Sequence, residues 1–271
     1  MVSGNTNLTR YNRDNGTALG EIFYEDADTS IAPSSSPWPF TDVGRCNNDD
    51  LSITNPYFPI PLSEDPPFTQ VVSINRTVNE TGHQEWQIND IAFRGNYNHP
   101  LLGLAHVGNF SYPDDPEWNV YNFGSNASVR LVVNNESPDD TLLSHPMHLH
   151  GHDFFVVAEG EGRWDGSTII RRENPQRRDT QMVRRAGFAV LDIVLDNSGV
   201  WPFHCHIAWH VSEGLYINIL ERPSDIRKRG EVPAALKETC ESWNAYTRDN
   251  IVEQLDSGLR MERMGRMRKY A

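Results

Sequence analysis

Residues 145–152 read His-Pro-Met-His-Leu-His-Gly-His, and residues 204–210 read His-Cys-His-Ile-Ala-Trp-His. Seven of the ten histidines of this 271-residue chain fall in these two windows. In extended backbone, side chains two residues apart point to the same side. His148 and His150 therefore project together, and so do His204 and His206. Cys205, between the latter pair, projects to the opposite side. One strand end can thus serve two metal sites, with paired imidazoles facing one centre and a thiolate facing the other. His210 lies about one helical turn beyond His206 and can curl back toward Cys205 if the chain turns helical there.

Outward from these windows the chain reads as short strands separated by turn signals. Candidates are Gln70–Asn75, Glu85–Phe93, Ser128–Val133, Phe154–Ala158, Phe188–Leu195 and Leu215–Leu220. Val129, Leu131 and Val133 alternate with period two, as do Leu191, Ile193 and Leu195. Several such strands at this spacing predict an all-β sandwich or barrel. The apolar fraction of 38%, with 19 Gly and 17 Pro, suits a loop-rich β protein. Residues 1–30 include Glu21-Ile22-Phe23-Tyr24, a candidate terminal strand. Residues 31–68 are rich in Pro and Ser, which predicts a linker. A helix is expected from Pro233, where Ala234, Ala235, Leu236 and Lys237 are good helix formers. The tail beyond Leu259 is basic and rich in Met.

The residue types narrow the chemistry. One Cys with two His is the donor set of a blue-copper electron-transfer site. Imidazoles without thiolate suit copper that binds and reduces O2. Zinc is the alternative by donor type, although its Cys/His sites rarely need a His-Cys-His triplet facing two ways. His83, His99 and His106 stand alone and read as surface or capped core residues. His152 shares the side of His148 and His150 in a strict strand. It is either a further ligand or, as we prefer, a hydrogen-bonding group behind the ligands, with Asp153 beside it.

A formal net charge of -13 argues against nucleic acid and against an anionic membrane surface as partners. No run of apolar residues is long enough to span a membrane. The amino terminus is polar, and from its sequence no signal peptide is expected there. Yet Asn-x-Ser/Thr sequons occur at Asn7, Asn15, Asn75, Asn79, Asn109, Asn126 and Asn135, which suggests extracellular exposure. The expectation that reconciles these facts is a piece of a longer secreted chain. With Cys205 read as a ligand, Cys46 and Cys240 remain, to pair with each other or with cysteines elsewhere.

At the two histidine windows the sequence resembles the multicopper oxidases, and specifically the laccases of filamentous fungi. Residues 145–152 look like the family's third copper signature. Residues 204–210, followed by Ser212-Glu213-Gly214-Leu215, look like the fourth. Asn174-Pro175-Gln176-Arg177-Arg178-Asp179 also resembles a stretch typical of fungal laccases. The resemblance implies a cupredoxin-like Greek-key fold over residues 69–225 as a third domain. Residues 1–30 would then be the end of a second domain, and 226–271 a terminal helix and tail. It implies that His145, Cys205 and His210 hold a type 1 copper. His148 would serve type 2 copper, and His150, His204 and His206 type 3. Leu215 would occupy the axial position, where it cannot coordinate. Asp256-Ser257-Gly258-Leu259 resembles the carboxy-terminal plug of ascomycete laccases. The family needs ten histidines, of which six are here. The rest, and any partners of Cys46 and Cys240, would lie in upstream domains. The implied activity is one-electron oxidation of small phenolic substrates coupled to reduction of O2 to water, in a secreted enzyme. The alternatives are a lone electron-transfer cupredoxin or an inactive truncation.

Overall fold

The computed structural model describes residues 21–32, 34, 36, 48–62, 65–80, 82–96, 98–110, 118–137 and 143–249, with the strands Val2–Ser3 and Thr17–Ala18. Contacts divide the chain into two units, Met1–Cys46 and Asn47–Ala271. In the first, β1 (Val2–Ser3) pairs antiparallel with β2 (Thr17–Ala18). Glu21–Tyr24 is not a strand. The chain turns there, with Ala27 N–H donating to the Tyr24 carbonyl at 3.0 Å, and the Ile22 and Tyr24 side chains face solvent.

The second unit runs β3 (Thr69–Val78), β4 (Gln84–Ile88), α1 (Leu101–His106), β5 (Val120–Gly124), β6 (Ser128–Asn135) and β7 (His145–Leu149). It continues with β8 (Phe154–Glu161), β9 (Gln176–Arg178), β10 (Thr180–Val183), β11 (Gly187–Val194) and β12 (Gly199–Cys205). It ends with α2 (Ala208–Ser212), β13 (Tyr216–Glu221), α3 (Pro223–Lys228) and α4 (Ala234–Asp249). One sheet has the order β10-β7-β12-β13-β5 and the other β4-β3-β6-β11-β8-β9. Neighbours are mostly antiparallel, but β3–β6 and β13–β5 are parallel. The result is the cupredoxin-like two-sheet sandwich expected from the sequence, followed by a helix that starts one residue after Pro233.

Alternation fills the space between the sheets. On β11, Ala189, Leu191 and Ile193 face inward beside Val133, Leu131 and Val129 of β6, to which they are paired in register. Met147, Leu149, Phe203, Ile217 and Ile219 answer from the other sheet. Each such side chain contributes roughly 1.5–3 kcal/mol by leaving water. The predicted strand Glu85–Phe93 stops at Ile88. Asn89 and Asp90 have φ of 51° and 63°, and Ile88 and Ile91 exchange hydrogen bonds at 3.0 and 3.2 Å. Two consecutive left-handed residues make the tight hairpin turn that Asn and Asp tolerate.

Part of the Pro/Ser-rich run is held to the sandwich. Leu51 is buried in the main core, and Arg171 and Arg177 donate to the carbonyls of Ser52 and Phe58. Among the sequons, Asn109 and Asn126 are exposed. Asn135 is buried, and its amide nitrogen is committed to the carbonyls of Leu143 and Arg184. Asn7, Asn15, Cys46 and the Asp256–Leu259 motif lie outside the described residues. Cys240 is a free, half-buried thiol on α4. Among the described residues no helix is long and apolar enough to cross a membrane.

Candidate metal centre

β7 and β12 lie side by side, with His148 opposite His204 and Met147 opposite Cys205. Alternation along β7 sends His145, Met147 and Leu149 into the core and leaves His148 on the outer face. The same alternation on β12 buries Phe203 and Cys205 and turns His204 outward. One pair of strands therefore carries two donor groups, on opposite faces of a single sheet.

The inner group is His145, Cys205 and His210, all buried, with donor atoms within 4.8 Å of one another. Nδ1 of His145 lies 3.7 Å from the Cys205 sulfur, and Nδ1 of His210 lies 3.5 Å away. His210 reaches the site because the chain turns helical in α2, directly after β12. Leu215 is fully buried beside them. Its N–H donates to the His210 carbonyl at 2.9 Å, and its carbonyl accepts from Cys205 N–H at 3.2 Å. Burial pushes the Cys205 thiol up to about 12. Burial, with His210 nearby, holds His145 down to about 3. Burial, then the Arg76 charge, brings His210 down to about 4.

This donor set fits copper. Both imidazoles are neutral near pH 7, and their Nδ1 atoms converge on one sulfur. Each Nδ1 can accept the thiol proton or donate its own N–H to the sulfur, and in the same cluster the buried Nε2 of His145 has no hydrogen-bond partner. A cation held by a thiolate and two imidazoles satisfies all three donors, and Cys with two His in an apolar cage is the blue-copper set.

The outer group is His148, His150, His204 and His206. Ring centroids of His148 lie 4.7, 5.6 and 5.5 Å from those of His150, His204 and His206. Nε2 of His150 and Nε2 of His204 stand 3.0 Å apart. A carbonyl oxygen only accepts, so the partners fix the tautomers. His148 Nδ1 donates to the Asp179 carbonyl at 2.9 Å, and His204 Nδ1 donates to the Cys205 carbonyl at 2.8 Å. Their Nε2 lone pairs are thereby free to ligate. Burial, followed by neighbouring imidazoles, lowers the pKa of His150. Burial does the same at His204, against the hydrogen bond to Cys205.

His152 is not part of this group. Its Nδ1 lies 3.1 Å from the His150 carbonyl, and its Nε2 lies 2.8 Å from a carboxylate oxygen of the fully buried Glu221. The other Glu221 oxygen accepts from Asn197 N–H, and the Asn197 amide donates to the Gly151 carbonyl. Burial is the largest influence and acts to lower the His152 pKa, but the Glu221 carboxylate, the His150 carbonyl and the charge of Asp196 together outweigh it, and the net direction is upward. Asp153 is exposed. His99 packs obliquely against Trp118, and His106 ends α1, so neither joins a donor group.

Sequence reasoning missed four participants. Trp86 sets its ring 4.5 Å from His145 and 4.8 Å from His210, walling the inner group. Tyr216 stacks on His204 at 5.7 Å and on Phe93 at 4.0 Å. Asp179 and Thr180 orient His148. Only Asp179 carried a signal, as the last residue of the 174–179 stretch.

The profile of the multicopper oxidase family matches residues 66–225. An oxidoreductase of Beauveria bassiana, OpS5, is 33% identical over 246 residues, covering 89% of this chain and 41% of that protein. Laccase-1 of Botryotinia fuckeliana is 32% identical over 263 residues, covering 95% of this chain and 43% of the relative. The crystal structure of laccase from Botrytis aclada superposes with a TM-score of 0.70 at 27% identity, over 85% of this chain and 42% of that one. The chain thus spans about two-fifths of the length of these relatives.

Proposed function

The chain belongs to the multicopper oxidase family, and on that premise we propose that it is the copper-binding carboxy-terminal part of a secreted laccase-type oxidase. Copper bound at the two donor groups would supply the redox chemistry, one-electron oxidation of small phenolic substrates at the thiolate site and reduction of O2 to water at the histidine group. What supports the reading most directly is the two-faced strand pair. Cys205 faces the core with His145 and His210, while its sequence neighbours His204 and His206 belong to the opposite group. The two groups are thereby joined through a few covalent bonds of β12. An electron carrier with a single thiolate site would have no use for the outer imidazoles.

The residues divide the work. His145, Cys205 and His210 would hold one ion among buried side chains, with Cys205 binding as the thiolate. Leu215, buried and tied through its backbone to both His210 and Cys205, carries a side chain that cannot donate to a metal. With no donor from Leu215, a bound copper would be favoured in its reduced form, which would make the site oxidising. His148, held by Asp179 and Thr180, and His150, His204 and His206 present half of a larger cluster. The remaining ligands would come from upstream cupredoxin domains of the same protein. Exposed sequons at Asn109 and Asn126 suit a secreted form. A glycosidase-sensitive mass at Asn126, and none at Asn135, is the outcome this location requires.

Visible absorption of the copper-loaded chain, beside Cys205→Ser, tests the assignment. The intense blue band should be present in the parent and gone from the variant, while histidine-held copper remains. A blue band that survives the loss of Cys205 would refute it.

A further inference from the structure

Arg76 and Trp86 are register partners across β3 and β4. The guanidinium carbon lies 5.4 Å from the centroid of the Trp86 ring. That ring is 1% exposed, and His145 and His210 pack against it with ring centroids at 4.5 Å and 4.8 Å. Legs of 5.4 and 4.8 Å put the guanidinium carbon within about 10 Å of the His210 ring. His145 meets the indole edge-on and His210 lies tilted against it, so the buried Trp86 ring fills the space between the guanidinium and the imidazoles, and the intervening medium is protein.

We propose that Arg76 is a fixed positive charge that raises the reduction potential of the Cys205 site, acting across the Trp86 ring. The inference rests on the reading of His145, Cys205 and His210 as a copper site. An arginine stays charged at every accessible pH. A cation beside a metal centre disfavours the state of higher positive charge, so it favours the reduced ion over the oxidised one.

Packing alone does not account for the arginine. An apolar side chain would cover the Trp86 face equally well. It would also avoid leaving Nε buried without a hydrogen-bond partner, as Arg76 does. The cost is explained if the charge itself is used. A unit charge about 10 Å away, at an effective dielectric near 20, shifts a one-electron equilibrium on the order of tenfold.

The test compares copper-loaded parent, Arg76→Met and Arg76→Lys. Each is equilibrated with the hexacyanoferrate(II)/(III) couple, which exchanges one electron with the site. The blue absorbance reads the ratio of oxidised to reduced protein. Arg76→Met should shift that ratio on the order of tenfold toward the oxidised form, with the blue band unmoved. Arg76→Lys, which keeps the charge, should stay close to the parent. An unchanged ratio in Arg76→Met overturns the inference. So does an equal shift in both variants, which would mark a packing effect. Loss of the blue band in Arg76→Met alone would show that the arginine holds the shape of the site rather than its potential, which also overturns it. Absence of the band from the parent would instead sink the copper reading, and this inference with it.

Discussion

Gly151→Ala should damage the outer histidine group while sparing the inner one. Gly151 sits between His150 and His152 with φ of +72°, a conformation that costs an alanine roughly 1–2 kcal/mol. A Cβ there would stand 2.7 Å from Cε3 and Cζ3 of Trp201. The indole cannot swing away freely. Its N–H donates to the Asn197 carbonyl at 2.7 Å, and its other edge lies against Gly199, where an added Cβ would come within 2.8 Å. Overlap with such a fixed ring costs typically 1–3 kcal/mol. The combined loss is about 2–5 kcal/mol, which for a unit of this size lowers the melting temperature by about 5–15 °C. The strain falls on the turn whose carbonyls are held by His152 and Asn197, so His150 should leave its place opposite His204. His145, Cys205 and His210 are on the other face. Thermal melting followed by circular dichroism reads the first effect. Copper counting together with the blue absorbance reads the second. A melt within about 1 °C of the parent, or loss of the blue band with the outer copper retained, would refute the reasoning.

The protonation states predict a count of protons. Cys205, at about 12, carries its proton at pH 7, whereas His145 and His210, at about 3 and about 4, do not. Filling the inner site should therefore release one proton per ion, and affinity should rise about tenfold per pH unit between about pH 5 and about pH 11. The dependence should steepen as the pH falls through the two histidine values. Calorimetry in two buffers of different ionisation enthalpy gives the count, and equal release in Cys205→Ser would contradict it. Asp192→Asn tests the sandwich. Asp192 is 2% exposed and takes two hydrogen bonds from Arg130, at 2.7 and 2.8 Å. Breaking one side of a buried pair costs roughly 3–5 kcal/mol. The low end is expected because Arg130 keeps Asp65 at 3.0 Å, and a loss below about 1 kcal/mol by denaturant unfolding would mean that water already screens the pair.

The strands that were legible in the sequence are those whose physics is local. In β6 and β11 the apolar residues Val129, Leu131, Val133, Leu191 and Ile193 recur with period two because that face packs against the opposite sheet. β7 and β12, which carry the donors, were not among the strand candidates. Each contains a proline, Pro146 or Pro202, which cannot donate to the ladder and so argues against a central strand. The structure places both in the middle of the five-stranded sheet. Each proline still accepts through its carbonyl, from His206 N–H at 2.7 Å and His150 N–H at 2.9 Å. The residues that follow the prolines are thus drawn together, and both acceptors serve a histidine of the outer group.

The donors themselves could be read because metal ligation depends on residue type and on the two-residue period, both of which are explicit in a sequence. Their supports could not. Glu221 meets His152 from 69 positions away, and Arg76 meets His210 only through Trp86. Nothing in the local pattern of β13 marks Glu221 as different from any other residue at a strand end, and only the closed sandwich turns it inward. Arg76 is less visible still. It lies on the face of β3 shared by the core residue Ile74, where alternation predicts an apolar side chain. A charged residue on a core-facing position breaks the local rule, and such breaks concentrate where a fold serves chemistry rather than stability alone.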